Sequence, residues 1–133
     1  PTGKGRKLKE GEELAILTIG HIGNVAAEAI ADVEQSEKAI IAHYDIRFAK
    51  PLDEELLHEV GKRFTKIITI EDGVLRGGVG EAITSFLNDN GYNTKVARLG
   101  IGDKFIEHGT LEQLHAICGF DKEGIIAKIK ELL

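Results

Sequence analysis

The stretch KIITIEDGVLRGGVGEAITSFL, residues 66–87, decides the fold class of this chain. A short β-branched run ends in two acids, Glu71 and Asp72, crosses a glycine-rich loop and enters an amphipathic segment. This succession of patterns predicts a strand, a loop and a helix. Units of this kind build parallel α/β sheets.

Two further units of the same kind precede this stretch. The runs 14–19 (LAILTI) and 39–44 are continuously apolar, which predicts strands covered on both faces. Apolar residues at helical spacing follow each strand, over 25–33 and over 52–60. Asp53 is suited to begin the second of these helices. The charged run 6–9 predicts an edge strand, because lysines on an edge discourage unwanted pairing.

The C-terminal side continues the alternation of strands and helices. A helix is predicted over 79–87 and a weaker strand over 96–99. Thr110 and Gln113 form a capping-box pair that predicts a short helix, which we expect Gly119 to end before a separate last helix capped by Asp121.

The predicted fold class is therefore α/β. We expect three layers, α/β/α, with a five-stranded mostly parallel sheet and one antiparallel edge strand. The expected organisation is a linker and edge-strand region over residues 1–11 and a single domain over 12–133, since 133 residues suit one domain.

Composition excludes several classes of protein. The net charge of -5 argues against a nucleic-acid partner, because phosphate binding depends on clustered lysine and arginine. The basic cluster near residue 6 is followed by three acids, so we expect a solvated or docking arm there. No run approaches the roughly 18 apolar residues that a membrane helix needs.

The single cysteine, Cys118, and the start of the chain also carry information. One cysteine forms no disulfide framework, and a cytoplasmic location is the expectation. Because the chain begins PTGKG and contains no methionine, we expect it to be a fragment of a longer protein.

Several residues near strand ends are candidates for a binding site. The loop 20–24 (GHIGN) is not a dinucleotide fingerprint, because Thr18 stands where the first glycine would be. A tight turn is the favoured interpretation, with His21 and Asn24 as candidate residues. Asp45 and Arg47 are expected to project to one side and form an ion pair. His108 precedes a predicted helix. His43, His58 and His115 lie within predicted elements and share no zinc-ligand spacing.

The glycine-rich loop has two interpretations. Gly77, Gly78 and Gly80 could bring backbone N–H groups to a phosphate at a helix start. Glu71 and Asp72 would repel such an anion, so close helix-to-strand packing or a subunit contact is favoured. The two acids could instead hold a cation or act as acid and base, although adjacent strand residues point in opposite directions.

Four strings taken together resemble a known family. They are GKGRKLKEGEELAILTIG (3–20), DIRFAKPLDEELL (45–57), TIEDGVLRGGVGEAI (69–83) and LGIGDKFIEHGT (99–110), with CGFDKEGI (118–125) near the end. In this order they resemble the carboxyl-terminal domain of the 1-deoxy-D-xylulose-5-phosphate synthases, within the transketolase group. The resemblance covers essentially the whole chain.

The resemblance implies a three-domain homodimer that depends on thiamine diphosphate and Mg²⁺. Such an enzyme condenses pyruvate with glyceraldehyde 3-phosphate, with loss of CO₂, to supply isoprenoid, thiamine and pyridoxal synthesis. The resemblance also implies that the cofactor, the metal and the activating glutamate belong to the upstream domains. We therefore expect no catalytic, cofactor-binding or metal-binding residue in this chain, and its expected partners are the upstream domains and a second subunit.

The family fold further implies that the strands ending at Ile19 and Ile70 are neighbours. Their loops would then meet at the topological switch point, where open α/β sheets keep their sites. The expected interface or switch-point residues are His21, Asn24, Asp45, Arg47, Glu71, Asp72, Arg76, Gly77, Gly78, Gly80 and His108.

An alternative hypothesis is a regulatory module that senses an anionic metabolite at these loops. Arg47, Arg76 and the helix starts near Asn24 and Gly80 motivate it, because helix N-termini attract anions.

Overall fold

The structure is a computed structural model that describes residues 5–19, 22–46, 52–72, 78–101 and 111–133, with the backbone alone at 72, 100, 101 and 111–121. Its elements in chain order are β1 (Arg6–Lys9), β2 (Leu14–Ile19), α1 (Gly23–Ser36), β3 (Ile41–Asp45), α2 (Glu54–Arg63), β4 (Lys66–Asp72), α3 (Val79–Asp89), β5 (Lys95–Ile101) and α4 (Leu111–Leu132).

The five strands form one sheet in the order β1-β3-β2-β4-β5. β1 pairs antiparallel with β3, and the other three pairs are parallel. The predicted five-stranded, mostly parallel sheet with one antiparallel edge strand is confirmed. The edge strand occupies the predicted charged run.

The helices cover both faces of this sheet. Alternate residues of β2 point to opposite faces: Leu14 and Ile16 belong to one apolar cluster, Ala15 and Leu17 to the other. The first cluster includes residues of α1 and α4, and the second includes residues of α2 and α3. This arrangement confirms the predicted three layers, and it explains why β2, with all six residues buried, is continuously apolar.

Asp53 connects the start of α2 to the edge strand. Its Oδ1 accepts a hydrogen bond from the backbone N–H of Leu56 at 3.1 Å, so the predicted cap is confirmed. Its Oδ2 accepts from the N–H of Gly5 at 2.8 Å. One carboxylate therefore begins the helix and holds the residue that precedes β1.

Ion pairs attach β1 to the helices on both faces of the sheet. Lys9 contacts Glu34 of α1 at 2.6 Å, and Lys7 contacts Glu59 of α2 at 3.0 Å. Glu59 also accepts a hydrogen bond from the hydroxyl of the buried Tyr44 at 2.8 Å. Burial, together with this bond to a carboxylate, raises the pKa of Tyr44 to about 12. The tyrosine therefore stays a hydrogen-bond donor to Glu59 at neutral pH.

Two predicted boundaries are wrong. The helix expected to end at Gly119 continues through it, and α4 runs unbroken to Leu132. An interior glycine weakens a helix by about 1 kcal/mol without ending it. β3 begins at Ile41 and not at residue 39, because side chains bind the turn before it: Glu13 accepts from the N–H of Ile40 and Glu34 from that of Ile41. The predicted cap at Thr110 lies outside the described residues.

No helix in the described part of the chain is both long and apolar enough to cross a membrane.

Two glycines should respond oppositely to alanine. A Cβ on Gly11 would overlap backbone atoms of Ile41 and Ala42, whereas a Cβ on Gly124, in the interior of α4, would meet nothing within 4 Å. Gly11→Ala is expected to lower the free energy of unfolding by about 3 kcal/mol. Gly124→Ala should raise it by about 0.5–1 kcal/mol. Urea denaturation measures both changes, and equal stabilities for the two variants would contradict the packing described for Gly11.

Candidate functional site

The carboxyl ends of β2 and β4 form the switch point of the sheet. The two strands are neighbours, as the family fold implied, with Thr18 opposite Ile70 and Ile19 opposite Glu71. From β2 the chain leaves through α1 towards β3, and from β4 it leaves through α3 towards β5. Because α1 and α3 lie on opposite faces, the switch point opens towards both sides of the sheet.

Some predicted site residues lie outside the described residues, and these are His21, Arg47, Arg76, Gly77 and His108. The predicted ion pair between Asp45 and Arg47 therefore also stays a prediction. Asp72 is the last residue of β4 and is described by its backbone alone. The remaining candidates divide into two groups that lie on opposite faces of the sheet.

The first group surrounds the start of α3. Glu71 Oε1 accepts a hydrogen bond from the backbone N–H of Val79 at 2.7 Å. The carboxylate thereby satisfies one of the unpaired donors at the helix N-terminus, where negative charge is favourable. Gly78 precedes the helix with a φ of 64°, a left-handed conformation that suits glycine.

Gly80 brings α3 close to the sheet. A Cβ at this position would lie 2.9 Å from Thr69 Oγ1 of β4 and 3.3 Å from the Cδ of Arg98 of β5. The predicted close helix-to-strand packing is confirmed at this glycine.

A cavity of about 270 Å³ lies beside this contact, which we call the α3 cavity. It is lined by Thr69, Glu71, Gly78, Gly80, Glu81, Arg98 and Leu99. The Arg98 side chain is exposed and forms no ion pair with any residue that the structure describes. It therefore presents a positive charge from the middle of β5 to the α3 cavity.

The second group lies in a groove of about 500 Å³ between α1, β3 and β1, which we call the α1 groove. Its lining comprises Gly23, Asn24, Ala27, Ile30, Ala31 and Glu34 of α1, His43 and Asp45 of β3, and Arg6, Leu8 and Lys9 of β1. Asp45 contacts Arg6 at 3.6 Å. The structure thus places Asn24 and Asp45 together, and separates them from Glu71, Gly78 and Gly80.

His43 lies in the wall of the α1 groove with only 2% of its surface exposed. Its Nε2 lies 3.0 Å from the hydroxyl of Thr18, which in turn donates to the carbonyl of Tyr44 at 3.4 Å. Burial lowers the pKa of His43, because the charged imidazolium would lose its hydration. The nearby carboxylate of Asp45 opposes this shift.

Sequence reasoning missed three residues of these sites: Thr69, Arg98 and His43. The period of two along a strand could have found His43, because Thr18 and His43 face the same side of neighbouring parallel strands. Arg98 gave no signal, because its proximity to Gly80 depends on the pairing of β4 with β5.

The described residues contain no group of three His, Cys, Asp or Glu side chains that could hold a metal ion. At the start of α3, Glu71 occupies the backbone N–H of Val79, so a diphosphate bound there would have to displace this carboxylate. The residues described at this helix start also include no ligand set for Mg²⁺.

Comparison with known proteins identifies the family. A family model described as the C-terminal domain of transketolase matches residues 3–125. The chain belongs to the transketolase C-terminal domain family. The matched residues include both the edge strand β1 and the glycines at the start of α3.

Curated relatives at high identity are 1-deoxy-D-xylulose-5-phosphate synthases. The chain is 58% identical over 125 residues to that of Bacteroides fragilis, covering 94% of this chain and 19% of the relative. It is 53% identical over all 133 residues to that of Bacteroides thetaiotaomicron, covering 20% of the relative. The chain thus spans about one fifth of the length of these relatives.

A solved structure supports the fold independently. A protein described as a split gene transketolase, in an inactive β4 tetramer, aligns with a TM-score of 0.81 at 29% identity. The alignment covers 100% of this chain and 43% of that one. The whole chain therefore has the fold of one part of a larger transketolase subunit.

The buried histidine should make stability depend on pH. Because the pKa of His43 is lowered in the folded state, the unfolded chain binds more protons below its ordinary value of 6.5. The stability that the neutral ring contributes is present above pH 6.5. It is lost as the pH falls towards the lowered pKa of His43 in the folded state. His43→Gln should therefore show a smaller decrease in the free energy of unfolding than wild type between about pH 7 and pH 5. Urea titrations at several pH values measure this, and equal slopes would contradict the account.

Proposed function

We propose that this chain is the carboxyl-terminal assembly domain of a 1-deoxy-D-xylulose-5-phosphate synthase. The longer enzyme would condense pyruvate with glyceraldehyde 3-phosphate, with loss of CO₂, as a transferase in isoprenoid, thiamine and pyridoxal precursor synthesis. The observation that carries this proposal is the 53% identity to such a synthase over all 133 residues, without a region left over.

Thiamine diphosphate and Mg²⁺ belong, in this proposal, to the domains that precede this one. Support comes from the start of α3, where the carboxylate of Glu71 already occupies the backbone N–H of Val79, the first donor that an anion would meet. The domain that we assign to residues 12–133, with the edge-strand region over 1–11, therefore contributes contacts and not chemistry.

Titration of thiamine diphosphate and Mg²⁺ into the isolated chain should produce no specific heat of binding.

The proposed partners are the upstream domains of the same polypeptide and a second subunit, in a cytoplasmic homodimer. The α3 cavity is the surface that we assign to such a contact. Its exposed Arg98 has no ion-pair partner in the described part of the chain, and an acidic side chain of another domain or subunit would pair with it. The stem of Arg98 is supported by its packing near Gly80.

A sensor of anionic metabolites at the start of α3 is disfavoured. Glu71 occupies the nearest backbone donor, and Glu81 adds a second carboxylate to the same cavity. An anionic metabolite bound to the backbone at this helix start would therefore have to displace Glu71 from the N–H of Val79.

A domain replacement tests the proposal. In the synthase of Bacteroides fragilis, the fifth of the polypeptide that this chain matches is replaced by this chain, and product formation from the two substrates is measured. The chimera should keep turnover within about threefold of the parent, because a domain that acts through contacts transfers with its contact surface. A chimera that folds and assembles but has no turnover would contradict the proposal.

The same chimera tests the contact surface. Arg98→Ala should weaken subunit or domain association by about five- to tenfold, as expected for a rim charge pair that loses one partner. Lys95→Ala is the matched control, because it removes an exposed cation from the first residue of the same strand, outside the lining of the α3 cavity. Sedimentation at a series of concentrations measures association, and equal effects of the two substitutions would exclude Arg98 as a specific contact.

A further inference from the structure

The α1 groove lies on the face of the sheet opposite the α3 cavity, and the assembly role proposed above does not use it. Its two cations are both paired with carboxylates at the rim: Arg6 contacts Asp45 at 3.6 Å, and Lys9 contacts Glu34 at 2.6 Å. Two positive and two negative charges leave the groove neutral overall. A strongly charged ligand would have to disrupt one of these pairs.

Small residues create the space of the groove. Gly23, Ala27 and Ala31 recur every four residues along α1, so they lie on one side of the helix. Ile30 and Leu8 add apolar surface, and 43% of the Leu8 surface is exposed. The resulting volume of about 500 Å³ lies in the range of small-molecule sites, about 300–1,000 Å³.

The ring of His43 supplies a hydrogen-bond acceptor to this space. The hydroxyl of Thr18 can only donate to the carbonyl of Tyr44, at 3.4 Å. With its one proton used there, it accepts from Nε2–H of His43, and from this network we assign Nδ1 as the unprotonated nitrogen. Among the described side chains, no fully buried nitrogen or oxygen lacks a hydrogen-bond partner, and Nδ1 has none. Nδ1 therefore keeps some accessible surface, and because His43 lines the groove we assign this nitrogen to it.

We propose that the α1 groove is a binding site for a small uncharged ligand with a flat apolar body and one N–H or O–H group, which donates a hydrogen bond to His43 Nδ1. The apolar body would lie against Ala27, Ala31 and Leu8. The amide of Asn24, at one end of the groove, is placed to bind a further polar group of the ligand. This site is separate from the contact surface assigned to assembly.

Indole and 1-methylindole are the probes that test the proposal. They have nearly the same size and apolar surface, but only indole has an N–H donor. Titration of each into the ¹⁵N-labelled chain, followed by NMR, should give shifts of the amides of Asn24, Ala27, Ala31 and His43 with indole, with a Kd on the order of 1 mM. 1-Methylindole should bind about fivefold more weakly, because the acceptor is then left without a partner.

Variants on the exposed side of α1 test the location without disturbing the core. Ala31→Leu fills the groove from an exposed helix position and should abolish the shifts. Ala82→Leu is the matched control, because Ala82 is an exposed alanine of α3 outside the groove, and it should bind indole as wild type does.

Three results would overturn the proposal. They are the absence of shifts at the groove amides up to 10-fold above the expected Kd, equal affinities for the two probes, and unchanged binding in Ala31→Leu.

The titration is repeated with a longer polypeptide that includes the preceding domains. Retained binding there supports a ligand site, whereas loss of binding would show that the groove is an interdomain contact and would also overturn the proposal.

Discussion

The parallel pairing of β2 with both β3 and β4 is the interaction on which the rest of the structure depends. All six residues of β2 are buried, and its residues lie opposite both neighbours in register, so that Ile16 faces His43 on one side and Ile68 on the other. Because the chain leaves β2 in one direction and β4 in the other, α1 and α3 cover opposite faces. The two clefts of the domain, the α3 cavity and the α1 groove, follow from this divergence.

The elements whose apolar pattern is local could be predicted from the sequence, and the contacts between distant elements could not. The buried strands, the cap at Asp53 and the packing role of Gly80 follow from patterns within a few residues. Gly119 misled the prediction, because a glycine stops a helix only when tertiary packing does not favour continuation. The candidate residues were grouped as interface or switch-point residues, but the faces on which Asp45 and Glu71 lie depend on strand register.

Charge complements apolar packing at the edge of the sheet. β1 is mostly exposed. Besides its antiparallel pairing with β3, it is held by Lys7, Lys9 and the preceding N–H of Gly5, each bound to a carboxylate elsewhere in the fold. Exposed ion pairs contribute little individually, about 0–1 kcal/mol, so we expect β1 to be the least stable strand. The parallel core is held by apolar burial on both faces. In the assembly role that we propose, the α3 cavity would be a contact surface supported by this apolar core.

Amide hydrogen exchange of β2 tests the central claim most directly. If β2 organises the domain, the amides of residues 15–18 should exchange only through global unfolding. Their free energy of exchange should then equal the free energy of unfolding from urea denaturation. The amides of β1 should exchange through local opening, at a lower free energy. Exchange of the β2 amides at a free energy below that of β4, or at the same free energy as β1, would contradict the account.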